Sequence, residues 1–110
     1  MVEKRAYIRV HPAAGSKVVN VMTNQTLGRL VDISANGFLL TCREQIKPGK
    51  IFQLLLWLKE LDGQGLTLGA ECIWSDHQES GLTFAGFQII DMADNEAERL
   101  NSLIDQLTVD

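Results

Sequence analysis

The sequence predicts a mainly β protein, a small six-stranded antiparallel β-barrel with a C-terminal α-helix. Three observations predict it. About six short runs rich in apolar and β-branched residues are separated by turn signals. One of them, IFQLLLWLK at Ile51–Lys59, alternates with period two, placing Phe52, Leu54, Leu56 and Leu58 on one face. After Asp91 the period becomes helical, with Ala97, Leu100, Leu103, Ile104 and Leu107 on one stripe. Repeated short strands of this kind favour a closed or nearly closed barrel. A chain of 110 residues reads as one domain over 1–110. Within it we expect a flexible basic arm at 1–11, a barrel over 17–90 and a helix over 95–108.

The elements follow in order. Lys17–Thr23 (KVVNVMT) reads as a strand, with Asn24-Gln25 as a turn and Thr26–Ile33 as the next strand. Gly37–Cys42 is the third, entered through ISANG. Lys47-Pro48-Gly49-Lys50 is a strong turn, because Pro presets one φ and Gly permits a positive one. Ile51–Lys59 follows, and its second face, with Leu55 and Trp57, is apolar enough to need cover. Asp62-Gly63-Gln64-Gly65 marks a hairpin loop. Leu66–Trp74 and Leu82–Ile90 are two further strands around the polar turn SDHQESG. Asn95 with Glu98 fits a capping box for the final helix. That helix should plug an end of the barrel or cover the face around Trp57.

Composition narrows the function. A 45% hydrophobic content is that of a globular fold, and Leu54–Leu58 is far too short to cross a bilayer. The N-terminal MVEKRAYIRV lacks the apolar stretch of a secretory signal. We therefore expect a cytoplasmic protein without membrane insertion. The net charge of −4 argues against DNA or RNA as a general partner. Yet residues 1–11 carry Lys4, Arg5 and Arg9 against Glu3, a balance of +2, so the remainder sums to −6. A basic arm on an acidic body suits a small anionic ligand; a solvated tail would look the same. Cys42 and Cys72 fit no metal-ligand spacing and read as reduced packing residues, bridgeable only if their strands are neighbours. His11 and His77 stand alone, so no metal site is expected.

No nucleophile elbow, P-loop or dinucleotide fingerprint is present, and catalysis is not expected. The informative stretch is LVDISANGFLL at Leu30–Leu40. Asp32 and Ser34, two apart in an extended segment, would point the same way and offer two-point hydrogen bonding, or they could cap a turn. Gly37 allows a positive φ and close approach to the backbone. In the arm, Arg5 and Arg9 are four apart. An arginine forks onto phosphate or a guanine edge, whereas the Asp32 carboxylate accepts from the N1–H and N2–H₂ of a guanine. Together these residue types match a ligand built of guanines and phosphates.

Arg5-Ala-Tyr-Ile-Arg9 followed by Asp32-Ile-Ser34-Ala-Asn-Gly37 resembles the paired motifs of the PilZ domain, the bacterial receptor module for cyclic di-GMP. Cys72-Ile73-Trp74 is similar to that family's strand ending in Trp, and Phe84-Ala85-Gly86-Phe87-Gln88 to its later Gly-and-aromatic strand. One departure is Phe38, where many members have a second Gly. The resemblance implies a six-stranded barrel with a C-terminal helix. It implies that Arg5 and Arg9 grip guanine edges and phosphates as the arm folds over, that Asp32 and Ser34 read another guanine, and that Gly37 shapes the turn. Trp74 would give a wall or stacking surface, and Lys4, preceding the first motif Arg, would favour an intercalated ligand dimer. It further implies a downstream protein partner in motility, pilus function, polysaccharide export or biofilm control. The rival reading is a PilZ-like adaptor that binds no nucleotide and works through its helix or the Trp57 face.

Overall fold

A computed structural model describes residues 7–61 and 63–108. Six strands run in chain order: β1 Lys17–Asn20, β2 Gln25–Ile33, β3 Gly37–Cys42, β4 Ile51–Trp57, β5 Leu66–His77 and β6 Thr83–Asp91. A single turn of 3₁₀-helix, Lys59–Leu61, follows β4, and the helix α1 spans Asp94–Thr108. All neighbours are antiparallel, and the order β1-β2-β3-β6-β5-β4 closes on itself as a barrel.

The alternation in β4 works as its sequence implies. Phe52, Leu54, Leu56 and Leu58 are buried inside the barrel, each contributing about 1.5–3 kcal/mol relative to exposure. Phe38 also points inward, its ring parallel to that of Phe87 with centroids 5.1 Å apart, while Phe52 meets Phe87 edge-on. The bulky residue that replaces a second motif glycine is thus a core residue. From α1, Leu100, Leu103 and Ile104 join this core. Arg99 donates to the Gly65 carbonyl and Glu96 accepts from the Thr67 amide, so the helix is tied to the start of β5 and the loop before it.

Several boundaries differ from expectation, each for a local reason. β1 stops at Asn20, not Thr23: the Asn20 side chain accepts from the Met22 amide and its carbonyl from the Asn24 amide, turning Val21–Asn24 out of the sheet. Asn24 takes a φ of 63° there. β4 ends at Trp57 because Lys59–Leu61 curl into the 3₁₀ turn. β5 continues past Trp74 to His77, whose ring bonds the Thr83 hydroxyl across the ladder, so the turn contains only residues 78–82. The helix begins at Asp94, which places Asn95 inside its first turn and not at a cap. Trp57 lies half-buried on the outer face with the Lys17 ammonium 5.8 Å from its ring centroid, and is not a core residue. β6 separates β3 from β5, and Cys42 and Cys72 are free, buried thiols.

Candidate functional site

Val10 inserts into the core, and its amide and carbonyl exchange hydrogen bonds with Ile33 at 2.9 and 3.0 Å. The segment expected to be a flexible arm up to residue 11 is therefore docked at Val10. This bridge fixes Arg9 beside the end of β2, where its Nη1 donates to Asp32 Oδ1 at 2.6 Å. The Arg9 side chain is 57% exposed and that of Asp32 13%. Among the described residues Asp32 is the only group that Arg9 bonds, so most of its five N–H donors face outward. Lys4 and Arg5 lie outside the described residues.

Asp32 reaches this surface because β2 carries a bulge. Leu30 pairs with Leu40 and Asp32 with Leu39, leaving Val31 as the extra residue. Under strict alternation Asp32 would share the inward face of Leu30; the bulge turns it out. β5 uses the same device. Cys72 pairs with Phe87 and Trp74 with Gly86, so Ile73 is extra and the indole points outward, 48% exposed, where alternation would bury it with Cys72.

These side chains line one cleft of about 460 Å³ between the β2–β3 turn and the outer face of β5 and β6. Asn36, Ile73 and Gln88 join Arg9, Asp32 and Trp74 in its wall. It presents a cation, an acceptor-only carboxylate, two amides and an aromatic face, a set suited to a planar, anionic, hydrogen-bonding ligand.

Ser34 is placed differently from the expectation that it points with Asp32. The strand ends at Ile33, and Ser34 is buried in the turn. Its hydroxyl lies 2.8 Å from Asn36 Oδ1 and 3.3 Å from the Gly37 carbonyl, and its amide donates to that carbonyl. Its side chain holds the turn and does not line the cleft. Gly37 is glycine for a reason other than a positive φ, which it does not adopt. A Cβ there would stand 2.3 Å from the Phe87 carbonyl oxygen, so the close passage of β3 along β6 excludes any side chain.

Residues 3–106 match the family model of the PilZ domain. The chain belongs to the PilZ domain family. Among solved structures, this PilZ domain is similar to YcgR of Escherichia coli in complex with c-di-GMP, with a TM-score of 0.77 and 19% identity over 97% of this chain and 47% of that one. The inhibitor of motility MotI/DgrA of Bacillus subtilis gives 0.77 and 16% over 96% and 51%. The PilZ domain of YcgR with c-di-GMP gives 0.69 and 17% over 96% and 92%. The chain thus spans about half the length of YcgR and MotI and most of the isolated PilZ domain. At these identities the likeness shows the shared fold. No curated protein matches the chain.

Proposed function

We propose that this PilZ domain is a cyclic di-GMP receptor that acts without catalysis. The observation that carries the reading is the Arg9–Asp32 contact at the mouth of a cleft walled by Trp74. The family membership and the c-di-GMP held by the YcgR structures support the choice of ligand.

On this reading Asp32 accepts from the N1–H and N2–H₂ of one guanine. Arg9 swings from the carboxylate onto a phosphate or a guanine edge, and Trp74 stacks on a base. Arg5 adds a second clamp, and Lys4 favours a second, intercalated ligand molecule. Ser34 contributes by holding the turn that carries Asn36, and Gly37 by letting β3 lie close to β6. The arm orders over the cleft when ligand binds, pivoting ahead of Val10, because Val10 is already fixed to Ile33. Its displacement changes the surface offered to a downstream protein in the cytoplasm, within the limit set by the ligand's differential affinity for the two arm positions.

Calorimetry with cyclic di-GMP tests this. We expect saturable heat; none at roughly tens of micromolar ligand, about −6 kcal/mol, would favour the adaptor that binds no nucleotide.

A further inference from the structure

Gly86 faces outward in β6, directly opposite Trp74. A Cβ built there would stand 2.2 Å from the indole Nε1, 2.6 Å from Cε2 and 3.0 Å from Cδ1. With Cε2 and Cδ1 both so close behind Nε1, that Cβ lies above the ring plane at the nitrogen edge of the indole and not in line with its N–H. One face of the indole therefore rests on the bare backbone of β6, and the ring spans from β5 towards the cleft.

We propose that Gly86 is a positioning residue for ligand binding, acting through Trp74. The bulge at Ile73 turns the indole outward, and the missing side chain at 86 then lets it settle against the sheet with its second face towards the cleft. An aromatic shelf fixed in this way is preorganised to stack on a purine, so little rotamer freedom is lost when the base arrives. Any side chain at 86 lifts the ring off the sheet and tips it into the space the base would occupy. The rest of the site, Arg9 and Asp32, is untouched by that change. The inference rests on the receptor reading for its ligand, whereas the geometry of the shelf stands apart from it.

The test uses the full chain with Gly86→Ala, Trp74→Ala and the double variant, each titrated calorimetrically with cyclic di-GMP. Gly86→Ala should weaken binding roughly tenfold, about the scale of one stacked base. The same substitution made in the Trp74→Ala background should change affinity little, and the double variant should melt higher than Gly86→Ala alone because the clash is gone. Equal losses from Gly86→Ala in both backgrounds, or parent-like binding by Gly86→Ala, would overturn the proposal. If the parent gives no heat, the receptor reading fails, and iodide quenching of Trp74 in a Trp57→Phe background decides the positioning role. Increased quenching in Gly86→Ala supports it, and unchanged quenching overturns it. Should Gly86→Ala alone fail to fold, recovery of a folded double variant supports the contact, and a double variant that also fails overturns it.

Discussion

Val10 and Ile33 exchange backbone hydrogen bonds in both directions, an isolated antiparallel bridge that ties the N-terminal segment to the end of β2. The Val10 side chain is 5% exposed, so the bridge is also an apolar anchor. Val10→Ala should cost about 1–2 kcal/mol of stability and let Arg9 drift from Asp32. Urea denaturation gives the first number. Calorimetry should show a weaker ligand affinity, and an unchanged affinity would mean that the anchor does not set the position of Arg9.

Removing either partner of the ion pair should separate binding from folding. Because the Arg9 side chain is more than half exposed, the pair itself contributes no more than about 1 kcal/mol to stability. Arg9→Ala and Asp32→Ala should therefore melt close to the parent in the absence of ligand. Each should bind cyclic di-GMP roughly tenfold or more weakly, on the scale of a bidentate base contact, about 1–3 kcal/mol. Parent-like binding by both would show that ligand sits elsewhere.

Gly37→Ala addresses the turn. With the Phe87 carbonyl 2.3 Å from the new Cβ, β3 and β6 must part. The expected loss is about 1–3 kcal/mol, the range for overpacked sites, visible as a lower urea midpoint. A variant as stable as the parent would show that the two strands can separate without cost.

The buried thiols give a pH dependence. Desolvation raises both Cys42 and Cys72 above the ordinary thiol value. As pH rises, the unfolded chain then releases these protons first, from about 8.5, while the folded chain still holds them. The folded state binds more protons in that window, so stability falls as pH rises through the folded values and is fully present below the unfolded ones. The chemical denaturation midpoint should decline in mild alkali, and decline less in the Cys42→Ala/Cys72→Ala double variant. Equal slopes would assign the decline to other groups.

Much of the barrel was legible because β4 and α1 carry clean periods, and because Gly, Pro and Asn mark the turns. The docking of β3 on β6 was not, since strand adjacency depends on contacts remote in sequence. That is why Gln88, which pairs with Gly37, went unnoticed as part of the cleft wall. The proximity of Arg9 and Asp32 was suggested by complementary chemistry. How Asp32 and Trp74 come to face outward was hidden, because period-two reasoning assumes an unbroken ladder and both positions follow a bulge. The role of Ser34 was one of two open readings, and its burial in the turn favours the internal one. Asn20 misled the end of β1 because its side-chain bond to Met22 competes with the sheet in a way that β-propensity does not register.

The circular strand order gives each strand a hydrogen-bonded neighbour on either side. Among the described residues, stretches such as Trp74–His77 of β5 pair on one side alone, so a binding protein finds only short lengths of strand edge for β-augmentation, a common route by which one chain captures another. On the receptor reading proposed above, recognition goes mainly through side chains and through the segment that the ligand repositions. Closure leaves most backbone donors and acceptors of the barrel already satisfied, which guards it against adding itself to other sheets.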